Sequence, residues 1–446
     1  MFRRLFKYAL ILLMAAGCES KTEDPVVAPE TKAQVRLVTA QLLTEPIEAS
    51  LVETATAALP IWRETRQERP TLVLLSNNPF LQSIPTPLQK EAQRLVLSAD
   101  QIEFEKKAVF QSADPVLMPS MAVSAALRAN LFGKVLWVLP LSPEAPMPTP
   151  ETIKAQLFTA GDISEAEAKT LKQEGDSISG QIRNTAWTIC RIKSLPRIDE
   201  PVLLHVDLSY FRAVYKNEIT TPLYLIVADV ARQLRESRWP TLGATVSLSN
   251  LSGDIALKSR FLGKDIASML ANPELLDAEA MPELWNQRSK ALYLDNLFQP
   301  EKILDIYLEL EKHFPESASV KYGLFEISGQ LKNSDKALQY LSEAVALDPI
   351  YGLEYLTLSE RAFNQGQIQA SMDMLNKAAE IFPDNPFITL KKIGLYRETG
   401  GITLAAPLIE KLQQLNWSKT YDPGMPDFLA TLAEEASKPQ PKTPEK

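Results

Sequence analysis

Three apolar segments that end in proline recur at a fixed interval in the C-terminal third of the chain. Their prolines, Pro315, Pro349 and Pro383, are separated by 34 residues each time. Between them apolar residues are spaced by three and four, as in DKALQYLSEAVAL (335–347), which is the pattern of an amphipathic helix. A repeat of this length indicates stacked helical hairpins, because one hairpin cannot bury its apolar face alone. The chain is therefore predicted to contain a helical repeat array.

The interval is similar to that of the tetratricopeptide repeat (TPR) family, whose unit is a 34-residue helix-turn-helix. When each proline is placed near the end of a unit, small or apolar residues fall where that family packs its helices closely. These residues are Ala337, Ala344, Leu375 and Ala378, with Tyr396 and Ala405 in a fourth unit, in which Trp417 replaces the proline. The resemblance implies a TPR-like α-helical domain at 283–436 with a concave surface that binds a protein or peptide. The polar residues 437–446 are predicted to be a disordered tail.

Residues from about 40 to 280 have a different pattern, in which short apolar runs alternate with helical segments. The predicted strands are 71–77, 134–141, 185–192, 201–211 and 244–251, and the predicted helices are 88–98, 119–131, 164–174 and 222–236. The alternating run 102–107 is predicted to be a strand or a sheet edge. Continuous apolar runs are typical of strands that are covered on both faces. We therefore predict an α/β domain at 36–282 with a mostly parallel sheet and helices on both faces.

Polar residues follow several of these predicted strands. In α/β folds ligands bind beyond the C-terminal ends of the strands, and such a rim would consist of Ser76, Asn77, Asn78, Asp207, Tyr210, Asn250 and Asp254. Because side chains alternate along a strand, His205, Asp207 and Ser209 are predicted to share one face, where they could serve as catalytic groups or metal ligands.

The segments VLLHVDLSYF (202–211) and ATVSLSNLSGD (244–254) resemble the arginase and deacetylase-like superfamily, a later strand of which carries an Asp-x-Asp metal motif. Asp207 matches the first carboxylate of that motif, but Ser209 stands at the second. The earlier segment LLSNNPFLQ lacks the histidine and carboxylates of the family. The resemblance thus implies a degenerate α/β domain without the metal motifs, and neither a metal nor a cofactor is predicted.

The first eighteen residues have the layout of a bacterial signal peptide. Residues 1–7 carry three positive charges, and the apolar run 8–16 is shorter than the roughly 20 residues that span a bilayer. The following Ala-Ala-Gly-Cys resembles a bacterial lipobox, which implies removal of residues 1–17 and attachment of lipid to Cys18. Two or three acyl chains on one residue give stable membrane attachment. Residues 18–35 are then the lipidated cysteine and a flexible tether.

The residue after the lipobox bears on the location of the protein. Lipoproteins that stay at the inner membrane typically carry Asp there, whereas this chain has Glu19. The resemblance therefore implies the outer membrane, with the folded body in the periplasm. With Cys18 committed to lipid, Cys190 is the remaining cysteine, and its apolar surroundings predict a buried structural thiol.

The composition disfavours several classes of function. The net charge of -8 disfavours nucleic acid as a partner. Two histidines and 16 glycines supply few metal ligands and no Gly-rich phosphate loop. The predicted function is a membrane-anchored envelope lipoprotein that acts as a protein- or peptide-binding scaffold. Two alternatives remain open: an envelope hydrolase that uses Asp207 and His205, and a solute-binding lipoprotein that uses the Ser/Asn rim.

Overall fold

A computed structural model describes residues 39–108, 111–142, 144–216, 221–248 and 257–438. The predicted signal peptide, the lipid-attachment residue Cys18 and the whole tether to residue 35 lie outside the described residues. The same is true of two rim residues, Asn250 and Asp254, and of tail residues 439–446. The described residues belong to one compact unit.

Nine strands form one mixed sheet in the N-terminal part of the described chain. The strands are β1 (Ala40–Gln41), β2 (Ala49–Val52), β3 (Thr71–Leu75), β4 (Lys134–Leu139), β5 (Lys172–Glu174), β6 (Ser177–Ile182), β7 (Thr185–Arg191), β8 (Val202–Asp207) and β9 (Pro240–Ser247). Their order is β1-β9-β8-β3-β4-β7-β6-β5, and β2 also pairs with β9. Neighbouring strands are parallel in the series β2, β9, β8, β3, β4 and β7. The antiparallel pairs are β1 with β9, β6 with β7, and β5 with β6.

Helices cover this sheet in two apolar layers. They are α1 (Leu59–Glu64), α2 (Gln89–Ser98), α3 (Gln101–Lys107), α4 (Ala122–Arg128), α5 (Pro150–Thr159), α6 (Glu165–Thr170), α7 (Ser209–Lys216), α8 (Leu223–Glu236) and α9 (Phe261–Ala271). Alternate residues of a strand point to opposite faces, and β3 is buried on both. Its Leu72 and Leu74 pack in the layer of α1, α2 and α4, whereas Val73 and Leu75 pack in the layer of α7, α8 and α9. We call residues 39–276 the sheet region.

The helical region, residues 283–437, contains α10 (Glu283–Asn296), α11 (Pro300–His313), α12 (Ala318–Gln330), α13 (Ser334–Leu347), α14 (Glu354–Asn364), α15 (Ile368–Ile381), α16 (Pro386–Glu398), α17 (Ala406–Gln413) and α18 (Met425–Ser437). We call α10, α12, α14 and α16 the first helices and their successors α11, α13, α15 and α17 the second helices. The second helices α11, α13 and α15 begin at 34-residue intervals. The prediction of an α/β part followed by a helical part is confirmed.

The turns inside the hairpins keep the same interval. Each contains a residue with left-handed backbone, namely Phe298, Lys332, Gly366 and Gly400, with φ angles of 53, 60, 73 and 76°. This conformation at the C-terminal end of a helix ends it and lets the chain turn back. The hairpins are therefore equivalent at the turn although their residues differ.

Three local predictions are wrong. Residues 102–107 belong to α3, because the Asp100 side chain accepts a hydrogen bond from the Glu103 amide at 2.8 Å and so begins a helix. The helix predicted at 164–174 ends at Thr170, and β5 follows it. The strand predicted at 201–211 ends at Asp207, and α7 starts two residues later.

The helical region contacts the sheet region at both of its ends. At its beginning, Trp285 of α10 stacks on Tyr224 of α8 with ring centroids 5.1 Å apart. Near its end, the Ser418 amide donates to the Ala113 carbonyl at 2.9 Å, and the Tyr421 hydroxyl donates to the Val116 carbonyl at 3.2 Å. The array of hairpins therefore spans from one part of the sheet region to another.

Candidate functional site

Four polar side chains form a buried chain across the adjacent strands β8 and β9. The register places His205 beside Thr245 and Asp207 beside Ser247. His205 Nδ1 lies 2.8 Å from Thr245 Oγ1, and His205 Nε2 lies 3.1 Å from Ser247 Oγ. The Ser247 hydroxyl donates to Asp207 Oδ2 at 2.5 Å. All four residues are at most 1% exposed.

The hydrogen bonds of this chain have one consistent direction when Asp207 is ionised. The single Ser247 proton goes to the carboxylate, so Ser247 Oγ accepts from His205 Nε2–H. His205 Nδ1 then accepts from Thr245, whose oxygen accepts from Trp62 Nε1 at 3.1 Å. Burial lowers the pKa of His205 to about 3. Burial also raises the pKa of Asp207 to about 6, against the opposing hydrogen bonds of Ser209 and Ser247.

The hydrogen bonds of this chain link β8 to β9, α1 and α7. They leave no nucleophilic or basic atom of these four residues open to a substrate. Both His205 nitrogens are used, and the ring lies edge-on to Trp62 at 5.1 Å and to Phe80 at 6.2 Å between ring centroids. Asp207 Oδ1 accepts from the Ser209 amide at 3.0 Å at the start of α7. The prediction that Ser209 shares a strand face with His205 and Asp207 is therefore wrong, because the Asp207 carboxylate binds the first amide of a helix.

The predicted rim is brought together only in part. The Asn77 amide donates to Ser209 Oγ at 3.2 Å, and Ser76 Oγ lies 3.4 Å from the same hydroxyl. The Asn78 amide donates to Ser76 Oγ at 3.1 Å. These polar groups thus bind one another at the end of β3, and Asn77 is the exposed member.

Tyr210 lies apart from the rim. It is fully buried in the layer of α7, α8 and α9, where its hydroxyl has no hydrogen-bond partner among the described residues. Cys190 is buried in the same layer, and burial raises the pKa of its thiol to about 12. The prediction that Cys190 is a buried thiol is confirmed.

The helical region has open cavities along its first helices. A cavity of about 650 Å³ lies between α16 and α18 and is lined by Phe387, Leu390, Lys391, Gly394, Phe428 and Leu432, among others. A second cavity of about 330 Å³ lies between α14 and α16, with Leu356, Glu360 and Phe363 in its lining. Both cavities include Lys391, Gly394 and Glu398. They are therefore parts of one groove, which we call the open groove.

The lining residues follow the repeat interval. Pairs of equivalent residues 34 positions apart are Leu356 and Leu390, Glu360 and Gly394, and Asn364 and Glu398. Each pair occupies the same face of successive first helices, so the groove is a repeated surface. Sequence reasoning identified the residues that pack the hairpins together but not these. Applying the same 34-residue register to the first helices α14 and α16 would have found them.

Comparisons with known proteins assign no family: no family model matches the chain, and the curated proteins contain no significant match. Within the described ranges, no cluster of three or more His, Cys, Asp or Glu side chains could hold a metal ion. No helix in the described part of the chain has the length and apolar character needed to cross a bilayer.

Proposed function

We propose that the protein is an envelope lipoprotein that binds a segment of another protein along its helical region. The observation that carries this proposal is the open groove, in which successive first helices present equivalent faces to solvent. Stacked helical hairpins generally form extended concave surfaces of this kind. The groove has apolar side chains at Leu356, Phe363 and Leu390 for anchoring and charged groups at Lys391 and Glu398 for orientation.

The fold assignment that goes with this proposal is a TPR-like domain at 283–436 after an α/β domain at 36–282. The regular interval of the second helices and of the left-handed turn residues supports the former. Small buried residues at Ala337, Ala344 and Ala378 agree with the close packing of that family. Six parallel neighbouring strands between two apolar layers support the latter.

Site-specific photo-crosslinking in intact cells tests the binding function. A photo-reactive amino acid in place of Leu356 or Leu390 is expected to give a defined adduct with another protein. The matched control replaces Glu380, an exposed residue of the second helix α15 that does not line the open groove. Adducts that are the same from Leu390 and Glu380, or adducts from neither groove position, would contradict the proposal.

The anchor is tested separately. We propose that Cys18 carries the lipid and holds the protein at the outer membrane, facing the periplasm. The variant Cys18→Ser is expected to move the protein from the membrane fraction to the soluble fraction, because an anchor of two or more acyl chains is lost. Mass spectrometry of the mature N-terminus checks the modification directly. An unmodified Cys18 would refute the lipid anchor without affecting the groove.

A further inference from the structure

A segment of the sheet region lies against the first helices α10 and α12, on the face that continues as the open groove along α14 and α16. We call the part on α10 and α12 the first stretch of this surface. Residues Leu257–Ser259 form a short 3₁₀ helix against the first two hairpins. Leu257 packs in an apolar cluster with Tyr322, Phe325 and Tyr355. Lys258 Nζ lies 3.0 Å from Asp295 Oδ2 on α10. The chain therefore supplies its own occupant here, an apolar side chain followed by a basic one.

The segment is fixed by the residue that follows it. Arg260 is 8% exposed, and its guanidinium donates to both carboxylate oxygens of Glu53, at 2.6 and 2.5 Å. Its Nε lies 3.3 Å from Asp348 Oδ2. Arg260 thus connects the loop after β2 to the helical region. Such bidentate pairs give geometric specificity as well as attraction, so the position of Leu257 and Lys258 on the hairpins is well determined.

Lys258 also faces a second carboxylate, that of Glu326 on α12. Both residues line one small cavity together with Tyr307 and Gly323. Burial raises the pKa of Glu326 to about 7, and the charge of Lys258 opposes this rise. The first stretch of the surface is therefore built to receive a cation beside an apolar anchor.

A carboxylate beside apolar side chains recurs one repeat later, in a cavity that Lys391 also lines and that no residue of the sheet region lines. Glu360 stands 34 residues after Glu326 and lines the open groove together with Glu398. Neither Glu360 nor Glu398 forms an ion pair within the part of the chain that the structure describes. Leu356 and Phe363 line the same cavity as these carboxylates.

We infer that the open groove accepts a polypeptide segment in which an apolar side chain is followed by a basic one, as in Leu257 and Lys258. The apolar side chain contacts Leu356, Phe363 and Leu390, and the basic one pairs with Glu360. Continuity with the occupied stretch and the carboxylate of Glu360, at the position equivalent to Glu326, both point to this partner chemistry. The inference rests on the proposed binding function, to which it adds the kind of segment that is bound.

Three labelled peptides test the inference with the full-length chain in detergent. The first, IALKSRFL, copies residues 255–262; the second, IALQSQFL, removes its two positive charges; the third, IALESEFL, reverses them. Fluorescence anisotropy is expected to show saturable binding of the first peptide and about five- to twentyfold weaker binding of the second, since each exposed ion pair contributes about a two- to fivefold effect. The third peptide is expected to bind most weakly.

Two variants locate the charge contact. Glu360→Gln is expected to weaken binding of the basic peptide about two- to fivefold. The control Glu380→Gln removes an equivalent charge outside the groove and is expected to leave binding unchanged. A photo-reactive group on the peptide shows where it binds: adducts on α14, α16 or α18 agree with the inference. Adducts on α10 or α12 would mean that the peptide replaces the chain's own segment instead, and would overturn it.

Other results of the peptide-binding experiments would overturn the inference. Equal binding of all three peptides, preference for the acidic one, no binding at all, or no effect of Glu360→Gln would each overturn the inference about partner chemistry. None of these results would contradict the proposed function, because crosslinking from Leu356 and Leu390 in cells does not use these peptides. Absence of cellular adducts, by contrast, would remove the binding function itself.

Discussion

The buried polar chain of the sheet region and the open groove of the helical region differ in the exposure of their polar side chains. In the sheet region His205, Thr245 and Ser247 are enclosed, and each of their polar atoms is used by a neighbour. In the helical region Glu360 and Glu398 lie on an open surface. A buried polar chain specifies how strands and helices meet, whereas exposed charges in a groove are available to a partner. This difference agrees with the proposal that the helical region provides the binding surface and the sheet region supports it.

The two regions also differ in how their stability is distributed. The sheet region has long-range strand pairing and two shared apolar layers, so damage at one position affects the whole. Hairpins in a repeat array contact mainly their neighbours, and their stability is close to a sum of local contributions. The loss of stability caused by a core substitution should therefore extend through the sheet region but stay local in the helical region.

The largest expected effect is that of Trp62→Ala. Trp62 is fully buried, packs edge-on against Phe132 and His205, and donates to Thr245. The substitution is expected to lower the free energy of unfolding by about 3–5 kcal/mol, because it leaves a large cavity and removes one hydrogen-bond donor to Thr245 Oγ1. Urea denaturation followed by circular dichroism measures this loss.

Leu341→Ala is the counterpart in the helical region. Leu341 of α13 is fully buried, and its truncation is expected to cost about 2–5 kcal/mol. Hydrogen exchange is expected to rise in α12, α13 and α14 for Leu341→Ala, but across β3, β8 and β9 for Trp62→Ala. If both variants raised exchange throughout the chain, the two regions would unfold as a single cooperative unit. The proposed difference in how their stability is distributed would then be wrong.

The next largest effect is a pH dependence of stability that comes from Asp207. Its pKa is raised by burial to about 6, while an exposed Asp in the unfolded chain has a pKa of about 3.9. Between these values the folded protein binds a proton that the unfolded chain does not. Stability therefore falls as the pH rises through this window, by roughly 2–3 kcal/mol at most.

The hydrogen-bond chain accommodates both states of Asp207. A protonated Asp207 donates to Ser247, which then donates to His205 Nε2, and Thr245 turns toward the Leu204 carbonyl at 3.5 Å. The measurement is the difference in urea midpoint between pH 7 and pH 5, taken for the natural chain and for Asp207→Asn. The difference is expected to shrink in the variant, which cannot titrate there. An identical pH dependence in both would show that other groups, such as Asp162 and Glu326, are responsible.

Sequence reasoning recovered features that depend on local chemistry and on repetition. The second helices α11, α13 and α15 end two residues before Pro315, Pro349 and Pro383, as proline punctuation predicts. It missed the end of β8, because the carboxylate that stops the strand acts on an amide of the next element. It also missed Thr245 and Ser247 as partners of His205, since the register between β8 and β9 depends on tertiary packing. The residues of the open groove were not predicted, because the TPR resemblance implied a concave surface without saying which residues line it.

The smallest effect concerns the left-handed turn residues that mark each hairpin. Phe298 adopts this conformation, and its side chain is 91% exposed, so burial of the ring does not offset the strain. Gly366 occupies the equivalent turn two repeats later. A bulky residue is strained in this region of backbone space, and glycine is not. Phe298→Gly is therefore expected to raise the free energy of unfolding by about 0.5–1 kcal/mol, and Gly366→Ala to lower it by about 1 kcal/mol. Thermal unfolding measures the change in stability of each variant. The control is Phe298→Ala, which removes the aromatic ring but keeps a non-glycine residue in the left-handed conformation. A destabilised Phe298→Gly would show that the exposed ring makes a stabilising contact, and the hairpins would then not be equivalent at their turns.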